Sequence, residues 1–334
     1  MKYKSFQSEV RTLSKKWQNN FSIDWQKWIW YKNIFLIYFA LFKCARKVDV
    51  LHIMNVNIYS LISSIIFRIR NREWVIYLKM DSPLFQENDD KREKIKKIPR
   101  FIRNMLFKNI NYFGFEDKIL QKFYKETFPK FREKFIFTTN WFLKDPNIVW
   151  DLAKQNRIVL VWRFWSYQKN NEILMELLQN YNYKFLNDWD IYLCGWMTDK
   201  FNENLKKLKT IDIWVANHIH EMWFLNHDDL YNLMKTCKIF LHTARFEWDP
   251  NVQYDAMYTW CFMVSTDVAN IKQNYPKKYS CFFKSDDVLD LYNALKYSVL
   301  KVKKYGDNDF FKIQEYWLKN FERQKSLKEI LNKI

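Results

Sequence analysis

The sequence predicts an α/β protein with parallel, doubly wound sheets, and three observations predict it. In the C-terminal half, five short apolar runs alternate with four segments of helical periodicity. In the N-terminal half a strand–helix–strand order appears once more. The 334 residues, 49% of them hydrophobic, suffice for two domains with separate cores.

The elements follow in chain order. Residues 1–16 have the pattern of a helix, and residues 48–55 (VDVLHIMN) and 74–79 (WVIYLK) read as short buried strands around a helical stretch, 57–68. Residues 91–108 (KREKIKKIPRFIRNMLFK) form a basic helical segment with Ile95, Ile98, Ile102, Met105 and Leu106 at helical spacing, and Pro99 should kink or restart it. Turn residues and Pro146 in 138–156 mark a boundary. Beyond it, strands are expected at 157–161, 190–194, 211–216, 238–242 and 261–265, with helices at 170–179, 200–208, 228–237 and 251–258 between them. Two more helices follow at 286–302 and 309–332. The expected domains are 1–145 and 146–308, with a C-terminal helix, 309–334, crossing back to the first domain.

Composition narrows the function classes. The net charge is +18, which suits AT-biased coding and also attraction to nucleotide phosphates, anionic lipid or nucleic acid. Five cysteines (Cys44, Cys194, Cys237, Cys261 and Cys281) are odd in number and show no C-x-x-C spacing. Reduced thiols in a cytoplasmic protein are therefore expected, with neither disulfide frame nor zinc site. The opening 20 residues are polar and basic, unlike a signal peptide. The longest apolar stretch, 34–42, is far short of the roughly 20 residues of a membrane span, so any membrane contact is expected to be peripheral.

Two counts are out of proportion. Glycine occurs 3 times and tryptophan 16 times. Average usage would give roughly twenty glycines in such a chain. Tight turns, helix C-caps and phosphate-binding loops need residues that tolerate φ > 0 or a bare backbone. Depletion of one residue with excess of the other suggests that tryptophan stands where glycine belongs.

Three segments carry the chemistry. VWRFWSYQKNNE, residues 161–172, follows a strand and precedes a helix, where Arg163 and Lys169 would reach a diphosphate. By themselves, two such residues are more often solvated surface cations. ARFEWDPNVQYDAMYTWCFMVST, residues 244–266, has the same strand–loop–helix order. Glu247 and Asp255 lie eight positions apart in it, a pair able to accept hydroxyl protons from ribose or a hexose. An isolated pair of this kind is more often a loop Glu and a solvated helix Asp. The third segment is FTTNWFLKDPN, residues 137–147.

Together these segments resemble the retaining glycosyltransferases of the GT-B fold. That group has N-G-[VIF]-D at its interdomain linker, V-G-R-x-G-x-x-Q-K-N after the first strand of its C-terminal domain, and E-G-x-P-N-x-x-x-E-A-M-x-x-G before a later strand. This chain has TTNWFLKD, VWRFWSYQKN and EWDPNVQYDAMYTWC, with Trp141, Trp162, Trp165, Trp248 and Trp260 at the glycine positions. Trp196 after Gly195, and Trp223 before NHDDLYNLM, fit the same way. UGA read as tryptophan, in a lineage where it encodes glycine, would produce this pattern. Trp189 and Trp317 stand where the group commonly has real aromatic residues, whereas Trp17, Trp25, Trp28, Trp30, Trp74, Trp150 and Trp214 cannot be sorted by motif. The resemblance is good over residues 138–297 and weak before them.

The resemblance implies two Rossmann-like domains facing a cleft, the first lacking its first strand because the chain opens in a helix. It implies a hexosyltransferase acting with retention on a UDP- or GDP-sugar, without metal or other cofactor. Arg163 and Lys169 would neutralise the diphosphate, Glu247 would contact the transferred sugar, and Asp255 would hold the ribose, though the group usually has Glu there. Backbone at Trp162, Trp248, Asp249, Pro250, Asn251 and Val252 would line the donor. On the acceptor side, Asp81 in LKMDSP and His52 in VLHIMN are weaker candidates. The acceptor would be a cell-envelope glycan, polysaccharide or lipid-linked sugar, and the basic segment 91–108 could rest on an anionic membrane at the inner face of the cell. No nucleic acid partner is expected. The competing readings are a basic nucleic-acid-binding protein, which the charge and 19% aromatic content suggest, and an inactive homologue, which the tryptophans taken literally suggest.

Overall fold

The computed structural model describes residues 38–39, 41–43, 45–47, 50–54, 58–73, 75–80, 100–116, 118–138, 153–161, 164, 166–247, 250–268 and 275–321. The chain divides into two compact units between Thr139 and Asn140.

The first unit holds a four-stranded parallel sheet in the order β1-β2-β3-β4, formed by β1 (Val50–Met54), β2 (Val75–Met80), β3 (Tyr112–Phe115) and β4 (Phe135–Phe137). Helices α1 (Ile58–Arg70), α2 (Arg100–Asn109) and α3 (Lys118–Thr127) connect successive strands. Adjacent parallel strands joined by right-handed crossovers put all connecting helices on one face. That face is apolar: Leu51, Ile76, Leu78, Phe113 and Phe135 pack with Phe67, Phe107 and Tyr124 in one cluster. The other face carries His52 in register with Tyr77 and Lys79 in register with Gly114, with Thr138 just past the end of β4. Tyr77 Oη lies 2.8 Å from Thr138 Oγ1, and a methyl group on Gly114 would overlap both side chains. The expected helix at 1–16 and the start of the basic segment, 91–99, lie outside the described residues.

The second unit holds six parallel strands in the order β10-β9-β8-β5-β6-β7. They are β5 (Gln155–Val161), β6 (Asp190–Cys194), β7 (Ile219–Trp223), β8 (Cys237–His242), β9 (Phe262–Thr266) and β10 (Ser280–Phe283). Helices α4 (Glu172–Asn180), α5 (Asp199–Ile211), α6 (Ile213–His218), α7 (His227–Thr236), α8 (Asn251–Tyr258), α9 (Val288–Val302) and α10 (Asp307–Phe321) complete it. From β5 the chain builds outward to β6 and β7, then returns to the other side of β5 for β8, β9 and β10. The order therefore reverses between β5 and β8, a topological switch point. Strand cores such as Ile158–Leu160 and Phe262–Val264 are wholly buried, as parallel strands covered on both faces must be.

One expected element is corrected. Residues 211–216 (IDIWVA) were expected as a strand, yet α5 ends and α6 begins there. The Asp212 side chain accepts from the Trp214 and Val215 amides and caps α6, which overrides the β-branched composition. The strand is the following segment, IHEMW, whose half-exposed His220 and Glu221 hide its character.

At the base of this sheet Lys154 is buried, and among the described residues no carboxylate pairs with it. Its Nζ donates to the carbonyls of Cys237 at 2.6 Å, Thr259 at 2.5 Å and Met234 at 3.3 Å. Helix α10 closes the same end: Trp260 meets Phe311 edge-on, and Gln314 reaches the Tyr258 carbonyl.

Trp223 and Trp260 hold left-handed backbone, with φ of 45° and 67°. A Cβ is disfavoured there by roughly 1–2 kcal/mol per residue. Of the seven tryptophans at motif glycines, three (Trp196, Trp223 and Trp260) fall within the described residues, and two of those three carry this strain. Trp189, by contrast, is fully buried in the core.

Candidate donor site at the switch point

The loops leaving β5 and β8 lie side by side, because those strands are hydrogen-bonded neighbours at the reversal. Ligands of open α/β sheets bind outside the carboxyl ends of strands at such points. The β5 loop turns back on itself: Lys169 N and Asn170 N both donate to the Ser166 carbonyl. Asn170 then takes φ 50°, a conformation asparagine tolerates better than most residues.

This turn brings Lys169 to Glu247. Lys169 Nζ and Glu247 Oε1 form an ion pair, each side chain only 8% exposed. Seventy-eight residues separate them in sequence, and the pair joins one cation and one carboxylate of the expected site. The surrounding polar groups fix the loop. Thr243 Oγ1 donates to the Lys169 carbonyl at 2.8 Å and lies 2.9 Å from Asn171 Oδ1, with Thr243, Asn170 and Asn171 all buried. His242, at the end of β8, is also buried, with Nδ1 3.0 Å from Ser265 Oγ. Burial, and then the nearby Lys169 charge, push its pKa well below the usual imidazole value, so the ring is neutral.

Asp255 lies one turn into α8, half-buried, and accepts a hydrogen bond from Tyr231 Oη of α7 at 2.6 Å. Burial raises its pKa above the ordinary carboxylate value, while the Tyr231 bond and the His227 charge work the other way. Pro250 is the N-cap of α8 and offers no N–H. Asn251 and Val252 are its first helical residues, and Pro250 supplies no side-chain cap. Their amides belong to the set that a helix leaves unbonded at its N-terminus, where an anion is favoured.

Arg163, Trp162, Trp248 and Asp249 lie outside the described residues, as does Asp81. His52 sits on β1 in the first unit, its ring 5.0 Å from that of Tyr77. Among the described residues no group of three or more His, Cys, Asp or Glu side chains could hold a metal ion. No helix among them is long and apolar enough to cross a membrane.

Several residues in this shell escaped sequence reasoning: Thr243, His242, Tyr231 and Arg245. Arg245 stands two positions before Glu247 and could have been found as a cation beside the motif. The others carry no local signal.

No family model matches the sequence, and no curated protein matches it either. The fold has counterparts among solved structures, and its two parallel α/β units are those of GT-B proteins. It is similar to Anabaena HepE, solved with UDP, at a TM-score of 0.62 and 12% identity over 89% of this chain and 81% of that one. The same protein solved with UDP-glucose gives 0.62 and 14% over the same shares, 89% and 81%. The lipopolysaccharide outer core galactosyltransferase WaaB gives 0.59 and 12%, over 90% and 78%. Sucrose-phosphate synthase from Thermosynechococcus elongatus gives 0.61 and 11%, over 89% and 76%. At such identities the likeness is one of fold.

Proposed function

We propose that the protein transfers a hexose from a UDP- or GDP-sugar to a glycan, polysaccharide or lipid-linked acceptor, with retention of anomeric configuration. The observation that carries this reading is the buried Lys169–Glu247 pair at the switch point between β5 and β8. A buried ion pair is weak as a stabilising device, since desolvation offsets most of its attraction. Here it holds a cation ready for a diphosphate and a carboxylate ready for a sugar hydroxyl. A donor diphosphate would take over the Lys169 ammonium and free Glu247 for the transferred sugar. Lys169, with Arg163, would then stabilise the charge that develops on the leaving diphosphate. Asp255 would accept from ribose hydroxyls, and the first amides of α8 would face phosphate. The complexes of HepE with UDP and UDP-glucose support this choice of ligand class.

A second part of the proposal concerns residue identity. Positions 223 and 260, and the other five motif positions, are glycine in the protein as its own cells make it. The left-handed backbone at Trp223 and Trp260 supports this. Trp196 and Trp223 are also large apolar side chains left 67% and 51% exposed, as they would be if nothing had evolved to pack them. Peptide masses from the native protein, or UGA rather than UGG at those codons, test it directly; UGG at most of the seven ends it.

We place the protein in the cytoplasm, resting on the inner membrane face through the basic segment that ends in α2. Phe101 and Lys108 on that helix are exposed, which suits a headgroup layer.

The function is tested by thermal shift with a panel of nucleotide sugars, followed by NMR of the product anomer. Selective stabilisation by one UDP- or GDP-sugar is expected. Stabilisation by single-stranded DNA alone, with steep salt dependence, would favour the nucleic-acid reading. Donor binding without turnover would favour an inactive homologue.

A further inference from the structure

We infer that Arg245 is the positioning residue of this site, clamping the loop that carries Lys169 to the loop that carries Glu247 and tying both to a third loop through Asp286. The inference rests on the functional reading above only for its catalytic consequence; the clamp itself stands on geometry.

Arg245 makes contacts in three directions. Its Nη1 donates to the Tyr167 carbonyl at 2.8 Å and to Glu172 Oε1 at 3.0 Å. Its Nε donates to Asp286 Oδ1 at 2.7 Å. The guanidinium carbon lies 4.6 Å from the centre of the Tyr167 ring. The backbone joins in: Arg245 N donates to the Gln168 carbonyl at 2.8 Å, and Gln168 Nε2 returns to the Phe246 carbonyl at 3.3 Å. Residues 167 and 168 immediately precede Lys169, and residues 245 and 246 immediately precede Glu247. The bonds that join Tyr167 and Gln168 to Arg245 and Phe246 therefore fix one partner of the ion pair against the other, Glu172 extends the hold to the start of α4, and Asp286 ties Arg245 to the turn before α9.

A planar fork is what this arrangement requires. Glu172 and Asp286 approach one guanidinium through different nitrogens, and a lysine ammonium could not also stack on Tyr167. The two arms are unequal. Glu172 is 21% exposed and Asp286 is 55% exposed, so solvent screens the second arm more. Asp286 nevertheless holds left-handed backbone at φ 60°, which places its carboxylate beside Arg245 at the turn before α9. Burial works against the Arg245 charge, but the two carboxylates outweigh it and keep the guanidinium firmly protonated. The clamp is thus insensitive to pH across the neutral range, unlike a histidine in the same place.

The test uses the full chain and the variants Arg245→Met, Arg245→Lys and Asp286→Asn. Hydrogen exchange is read by mass on peptides covering 166–172 and 243–247, with strand peptides from β5 and β8 as the control for folding. Arg245→Met should speed exchange of both loops at least tenfold while the strands stay protected. Arg245→Lys should fall between, and Asp286→Asn should loosen the loops about threefold or less. Unchanged loop protection in Arg245→Met, or loss in one loop alone, overturns the clamp. On UDP-glucose turnover, Arg245→Met should lower kcat about a hundredfold and raise KM less than tenfold, because loosening affects the transition state more than donor capture. A chain that turns over no nucleotide sugar removes the functional reading and leaves the exchange result to judge the clamp. Loosened loops with unchanged kcat would show that the clamp has no part in positioning.

Discussion

Tyr231 Oη donates to Asp255 Oδ1 at 2.6 Å, a bond from α7 to α8 between side chains 24 positions apart. It explains how a carboxylate one methylene shorter than the glutamate of related motifs is held in a defined direction. It also makes Asp255 a poised group, since burial raises its pKa and Tyr231 restrains the rise.

Removing that restraint has a pH signature. The folded state holds the Asp255 proton up to a higher pH than the unfolded state does. Stability therefore rises as pH falls from the raised value toward the ordinary carboxylate pKa. Tyr231→Phe should cost about 1.5–3 kcal/mol at pH 7, the worth of a hydrogen bond to a charged group, and less in acid where Asp255 is neutral. Urea unfolding at the two pH values measures this. Asp255→Asn should raise the melting temperature at neutral pH while weakening nucleotide binding, a trade between stability and function.

The Lys169–Glu247 pair should be expensive to break from one side. Glu247→Gln or Lys169→Met leaves a buried charge or polar group alone and should cost about 3–5 kcal/mol, whereas the double substitution should cost less than either. Denaturant titration of the four proteins closes the cycle. Turnover of the donor sugar should fall by about a hundredfold or more in each single variant.

Substituting the strained tryptophans should stabilise, which is unusual for large-to-small changes. Trp223→Gly relieves left-handed backbone and loses little packing, so about 1–2 kcal/mol of gain is expected. Trp260 is 8% exposed and packs on Phe311, so Trp260→Gly should gain less. Trp189→Gly, in the closed core, should instead prevent folding. Thermal melts of the three variants separate these cases.

Lys154 gives an alkaline signature. Its burial lowers the ammonium pKa, so the unfolded state binds more protons between that lowered value and the ordinary ~10.4. The native protein should therefore gain stability relative to Lys154→Met as pH rises through that window. Unfolding free energies of both proteins across that range give the difference directly, and a flat difference would mean that Lys154 titrates as it does in the unfolded chain.

The class of fold and the segments that matter are legible in local pattern. Apolar runs such as 190–194 appear in the structure with those bounds, because buried parallel strands are written in local composition, and helix 251–258 also keeps its bounds although most of its side chains are buried. Tertiary structure alone decided the rest. β3 and β4, at four and three residues, are too short to show a period. The cap that Asp212 supplies turned an apparent strand into a helix, and edge strand β7 was masked by its own polar residues. Lys169 and Glu247 were legible as residues but not as a pair, since only the reversal of strand order between β5 and β8 brings their loops together. The Arg245 clamp and the Tyr231 bond depend on contacts across 41 to 78 positions and 24 positions respectively, and no local pattern encodes such distances.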